Sequence, residues 1–311
     1  MPGTAKSRRP AAAGQVTDPR MPSHRLPFRH ALLALLVVAV WGTNFVVIRH
    51  ALHTLPPLGL AAVRFFLAAV PAVFFIPRPA ASWRSLALYG VLIGAGQFGL
   101  LFLAMSHWIS PGLASLVVQT QVFFTIGWAI WSHGERLRLQ QVFALVLATA
   151  GLWTILHFTD GSATPVGLAL VLLAALSWAA GNHVAKAAGR IDMLGYVVWS
   201  SGFAVPPLLL LSWWMEGPTA LTDGLMAANA STWASVVWQA LGNTLFGYAA
   251  WAWLLARHPA ATVSPLALGV PIFGMTASAW WMGESMPMWK LTAAGLVMLG
   301  LMLNFLPLRR S

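Results

Sequence analysis

The sequence predicts an all-α integral membrane protein whose ten transmembrane helices form two inverted five-helix repeats. Three observations lead there. Hydrophobic residues make up 59% of the chain and charged residues 8%, with a mean hydropathy of +0.74. A soluble domain carries about 25% charged residues, so this chain lacks the polar surface that water demands. The apolar residues also gather into ten stretches close to the roughly 20 residues that a spanning helix needs. Finally, one set of landmarks occurs twice.

Residues 1–29 form a basic, Pro- and Ala-rich tail without periodicity, expected to be disordered, within which Met21 is an alternative start. The first span, 30–49, begins as a signal peptide would. Its apolar run continues to Ile48 without a small-residue cleavage site, so it reads as a retained helix. Spans at 57–77, 85–106, 112–132 and 139–158 complete a first repeat over 30–158. Spans at 165–187, 193–214, 232–256, 260–282 and 288–307 build a second over 159–307, and 308–311 form a basic end. The connections are short except for 215–231.

The duplication rests on spacing. Phe98-Gly99 and Pro111 recur as Phe246-Gly247 and Pro259, each 148 residues later. Gly134-Glu135 recurs as Gly283-Glu284 after 149. Leu58-Gly59 and Pro71 return as Leu194-Gly195 and Pro207 at an offset of 136, and Trp41 and Asn44 find echoes in Trp178 and Asn182. Five spans is an odd number, so the second copy must thread the bilayer upside down. Inverted repeats of this kind are common in secondary transporters, with the substrate held near the midplane between them.

The formal net charge of +11 loses its nucleic-acid flavour once the charges are placed. Of 18 Lys and Arg, fifteen fall on the side of the N-terminus, Arg49 and Lys290 fall on the other, and Arg64 lies within the second span. The positive-inside rule then puts both termini in the cytoplasm. The chain has no cysteine, which excludes disulfides and thiol chemistry. No cofactor or metal is expected, and the expected partners are a small-molecule substrate and the lipid bilayer. A homodimer stays open as an assembly.

Polar groups at membrane depth are costly and face the bundle interior. Trp41, Asn44, Gln97, Gln119, Gln121, Trp178, Asn182, His183, Asn243 and Tyr248 are therefore the candidate substrate contacts. Any one Asn or Gln could serve only as an interhelical hydrogen bond, worth about 0.6 kcal/mol. Together, at matched depth in both repeats, they point to a shared cavity. Arg64 either snorkels outward or attracts a substrate carboxylate. Pro265 and Pro271 free backbone carbonyls and suit a hinge, a gate or a static kink. Gly90-x-x-x-Gly94 suits close helix packing. Glu135 and Glu284 sit at span ends, where each is expected to pair with a nearby Arg or Lys. No Asp or Glu lies deep in a span, so proton coupling would fall to His183, or less naturally to His107.

Val40-Trp41-Gly42-Thr43-Asn44-Phe45, Arg64-Phe65, Pro111-Gly112-Leu113-Ala114-Ser115-Leu116 and Gly134-Glu135-Arg136-Leu137 resemble, in order, the EamA family of the drug/metabolite transporter superfamily. The resemblance covers roughly residues 30 to 307. It implies ten spans, inverted repeats, a bacterial inner-membrane location, and alternating-access export of amino acids or derivatives such as cysteine and O-acetylserine. It marks Asn44, Arg64 and Glu135 as family-pattern positions, while His183 after Asn182 departs from the first repeat. An importer or a passive channel of the same fold is the alternative reading. An intramembrane enzyme finds no His-Glu-x-x-His or Gly-x-Ser-x-Gly here, and a pump on this chain alone would need a phosphate loop that is absent.

Overall fold

Helix-forming apolar runs end where Pro, Gly or a charged cap interrupts them. The computed structural model describes residues 26–133, 138–158, 160–189 and 191–305. Among them the secondary structure is helical, apart from one isolated bridge between Ile109 and Ala163. The helices are α1 (Phe28–Ala51), α2 (Pro57–Ala69), α3 (Trp83–Val91), α4 (Leu100–His107), α5 (Pro111–Val117), α6 (Gln121–His133), α7 (Leu139–His157), α8 (Pro165–Ala187) and α9 (Met193–Met215). After them come α10 (Ala220–Ala227), α11 (Ala230–Val237), α12 (Gly247–Arg257), α13 (Ala260–Val263), α14 (Gly269–Met282) and α15 (Met288–Phe305). Seven helical runs are long and apolar enough to cross a membrane: α1, Pro57–Phe74, Trp83–His107, α7, α8, α9 and α15. The expected second span reached residue 77, but α2 stops at Ala69 and a 3-10 turn over Ala72–Phe74 follows Pro71. The connection at 215–231 contains α10 and is not a plain loop.

Four interruptions sit inside longer helical stretches. A π segment, Leu92–Gly99, joins α3 to α4, and another, Trp238–Phe246, joins α11 to α12. Turns of 3-10 helix, Val118–Thr120 and Ser264–Leu268, link α5 to α6 and α13 to α14. A π segment displaces carbonyls from their usual partners, and borrowed donors answer them here. The Ser177 hydroxyl donates to the Leu92 carbonyl at 2.8 Å and the Thr244 hydroxyl to Gln239 O at 2.9 Å. At Val118–Thr120 the Thr120 hydroxyl donates to Val117 O at 2.7 Å, a local bond that competes with the regular ladder. At 264–268, Pro265 has no N–H to give.

The helices run alternately between two faces. One face holds the start of α1 beside the end of α12, through a 2.7 Å contact between His30 Nδ1 and His258 Nε2. It also holds the starts of α3 and α9, joined by Ser85 and the Tyr196 hydroxyl at 2.7 Å. The opposite face ties the end of α1 to the end of α4, where Arg49 Nη1 donates to Met105 O at 2.6 Å. There too the Glu216 carboxylate receives the N–H groups of Leu58 and Gly59, at 2.6 and 3.1 Å, and caps α2. A carboxylate at a helix N-terminus answers both the orphan donors and the helix dipole.

In the interior, α1 packs on α12 and α14, while α8 packs on α4, α6 and the Leu92–Gly99 segment. Helix α2 packs on α9, α5 on α14, and α7 on α15. The last pair is peripheral, with only 22% and 28% of their apolar windows buried. Close approach selects glycine in α3 and in the π segment that follows it. A Cβ on Gly90 would stand 2.2 Å from Ser200 O, and one on Gly94 2.2 Å from Ala204 Cβ, so the expected small-residue contact is with α9.

Candidate functional site

The interrupted stretches converge on one cavity of about 380 Å³. Its wall contains six carboxamides: Asn44, Gln97, Gln119, Gln121, Asn182 and Asn243. Trp41, Trp178 and Tyr248, three more of the expected contacts, stand in the same wall. Gln97 belongs to one π segment, Asn243 to the other, Gln119 to a 3-10 turn, and Gln121 opens α6. The irregular backbone therefore turns polar side chains inward from both halves of the chain. Among the described residues, the lining holds no Asp, Glu, Lys, Arg or His.

Hydrogen bonds hold part of this wall and leave part of it free. The Trp41 indole N–H donates to Asn243 O at 3.2 Å, Gln119 Nε2 to Ala267 O at 3.4 Å, and Asn182 Nδ2 to Gln121 Oε1 at 3.4 Å. Asn44 Oδ1 and Gln97 Oε1 are buried without a partner. Buried polar atoms are ordinarily satisfied, so unpaired ones in a cavity wall are ready for a ligand or water. The lining extends to Met193, Leu255 and Phe305, at helix ends on the face that carries the start of α1. Toward the other face it reaches Ile48 and Leu101.

Other expected residues lie elsewhere. Arg64 is fully buried behind Phe98 and Tyr248, with its guanidinium carbon 3.7 Å from the centre of the Phe98 ring, and does not line this cavity. His183 is also outside the lining and stacks on Trp128, with ring centroids 5.1 Å apart. Pro265 and Pro271 are not in the wall, although their neighbours Ser264 and Val270 are. Glu135 lies outside the described residues. Sequence reasoning missed Tyr89 and Trp251. Trp251 follows Tyr248 by one helical turn, and both rings flank Trp41 at 5.2 and 5.8 Å, so helical spacing could have revealed it. Tyr89 is one of only three tyrosines and sits in the first third of its span.

Glu284 does more than end a helix. Its carboxylate accepts from the Ser110 hydroxyl at 2.5 Å, from Gly112 N at 3.2 Å and from the Ser278 hydroxyl. The buried Lys290 ammonium bridges it to Asp160, at 3.2 and 3.4 Å. This cluster clamps the start of α5, the end of α14, the start of α15 and residues 160–164 on the face opposite the cavity mouth. Partial burial pushes the Asp160 carboxyl up, but its Ser162 hydrogen bonds and the Lys290 charge outweigh that and hold it below the ordinary value. The other described carboxylates also sit at helix ends: Asp192 caps α9, Glu216 caps α2, and Asp223 lies in the first turn of α10.

The EamA-like transporter family model matches residues 29–157 and 165–306. A relative from Salmonella typhimurium called a "probable amino-acid metabolite efflux pump" is 39% identical over 282 residues, covering 89% of this chain and 94% of the relative. An Escherichia coli K12 relative of the same description is 37% identical over 287 residues, covering 90% and 96%. One solved crystal structure shares the fold, with a TM-score of 0.61 at 18% identity, and covers 89% of this chain and 95% of its own.

Proposed function

We propose, from the premise that this chain belongs to the EamA-like transporter family, that it exports amino acids or their derivatives by alternating access. It is a multi-pass membrane transporter of small metabolites and not an enzyme. The names of its relatives support an amino-acid cargo, and the cavity supplies the physical reason. Six carboxamides without a formal charge can solvate an ammonium and a carboxylate together, because each amide offers both a carbonyl and N–H donors. A cargo with net charge would enter this wall uncompensated. The charge-free, amide-lined cavity is the single observation that carries the reading.

Ten spans in two inverted five-helix repeats, 30–158 and 159–307, supply the two states. The packing supports this architecture, since exchanging each span for the one five later maps α1 on α14 to α8 on α6, and leaves α2 on α9 and α7 on α15 unchanged. The paired π segments and paired 3-10 turns fall in corresponding spans. The described cations on the α1-start face, among them Arg78, Arg84, Arg138, Lys186 and Arg257, support a cytoplasmic placement of that face in the bacterial inner membrane. The cavity then opens inward, ready to load cargo, with the Glu284–Lys290 clamp closing the outer side. In the outward state that clamp opens and the α12 and α15 ends close.

The test is counterflow into proteoliposomes loaded with unlabelled cysteine or O-acetylserine. Accumulation of label against the unlabelled pool is expected. Saturable counterflow with neither these nor other zwitterionic amino acids would overturn the cargo class, and flux without exchange would mean a channel.

A further inference from the structure

Arg64 lies in a second compartment. A pocket of about 10 Å³, room for one water-sized particle, is walled by Arg64, Tyr89, Phe98, Ser200, Thr244 and Tyr248 among others. Three of these residues, Tyr89, Phe98 and Tyr248, also line the cargo cavity, so they form the partition between the two spaces.

The Arg64 side chain is 0% exposed. Its Nη2 donates to Thr244 Oγ1 at 3.0 Å, while Nε and Nη1 have no partner. Among the described residues, no carboxylate pairs with it. The Phe98 and Phe65 rings, 3.7 and 5.1 Å from the guanidinium carbon, attract the cation without neutralising it. A buried charge is normally paired or accompanied by enough hydrogen bonds to replace its hydration, and this one has a single bond. The Ser200 and Thr244 hydroxyl protons are already committed to Tyr196 O and Gln239 O, and the unpartnered donors at the pocket are Arg64 Nε and Nη1.

We propose that this pocket is an anion site, in which one halide-sized monovalent anion binds Arg64 apart from the cargo. The volume selects a monatomic ion over the carboxylate of an amino acid, whose body would have to cross the Tyr89–Phe98–Tyr248 partition. With the anion bound, Arg64 presents no net charge to the neighbouring cavity. The site goes beyond the export reading and does not depend on what the protein carries.

The experiment is equilibrium binding of radiolabelled chloride to the purified protein in detergent at constant ionic strength, with gluconate as the balancing anion. Saturable binding at one site, displaced by bromide and not by O-acetylserine or acetate, is expected. Binding should disappear in Arg64→Gln and weaken about tenfold in Arg64→Lys, since a point ammonium cannot reproduce the guanidinium's fork of donors. Absence of saturable binding to the wild-type protein overturns the proposal, whatever the variants do. Displacement by the amino acid or by acetate overturns it as well, by assigning the pocket to a cargo carboxylate. Chloride binding that survives in a folded Arg64→Gln protein removes Arg64 from the site.

Discussion

Asn44 and Gln97 each bury a carbonyl oxygen with no partner, in a wall they share with Asn243 and Gln119. A hydrogen bond to a charged ligand group contributes about 1.5–3 kcal/mol, so each truncation has a predictable size. Asn44→Ala is expected to raise the half-saturating cargo concentration in counterflow by roughly tenfold or more, with the amount of protein in the membrane unchanged. An unchanged concentration dependence would make Asn44 packing rather than recognition. His183 illustrates the opposite lesson. A lone histidine in a span suggests a proton carrier, yet this one is taken up by stacking on Trp128 outside the cavity.

Interrupted helices build the site. The start of α12 lies so close to α1 that a Cβ on Gly247 would fall 2.4 Å from the Trp41 indole nitrogen. Gly247→Val is expected to push Trp41 off the Asn243 carbonyl, lowering counterflow at least tenfold while the helical signal in circular dichroism persists. The clamp on the opposite face is a matter of helix ends. Glu284→Gln leaves the buried Lys290 with Asp160 and the Ser285 carbonyl, so the loss stays below the roughly 3–5 kcal/mol of a fully uncompensated buried charge. A lower unfolding midpoint in detergent is the expected readout. Asp160 adds a pH dependence of definite sign. Its folded-state value is depressed, so its contribution is complete above the ordinary carboxylate range near pH 4 and is lost as pH falls through the lower folded value. Asp160→Asn should remove that part of the acid sensitivity, measured by unfolding below about pH 4.

Across the whole molecule, the proposed inward opening of the cavity and outer placement of the clamp make alternating access testable. The chain has no cysteine, so single-cysteine variants carry one label site. Leu255→Cys, near the cavity mouth, should react with an impermeant maleimide from the cytoplasmic side and be protected by cargo. Ile48→Cys, at the closed end of the cavity away from its mouth and 1% exposed, should react from the outer side only when external cargo drives the outward state. An Ile48→Cys protein that never labels from outside, under any cargo gradient, would sink the two-state exchange.

Composition and the spacing of apolar runs determined by themselves that the chain is helical and membrane-embedded, because a bilayer leaves backbone polar groups few other ways to be satisfied. The recurrence of Phe-Gly, Pro and Gly-Glu exposed the duplication, and the depth of Asn44, Gln97, Gln119, Gln121, Asn182, Asn243 and Tyr248 already marked every carboxamide of the cavity wall and one of its tyrosines. Sequence depth could not decide facing. Arg64 lies as deep as its neighbours, but the register of α2 turns it away from the cargo cavity and into a compartment behind Phe98. The π segments were equally hidden, because their displaced carbonyls are met by the Ser177 hydroxyl and the Trp41 indole arriving from other helices, beside the local Thr244 hydroxyl. Such donors are set by which helices meet, and only the tertiary structure decides that.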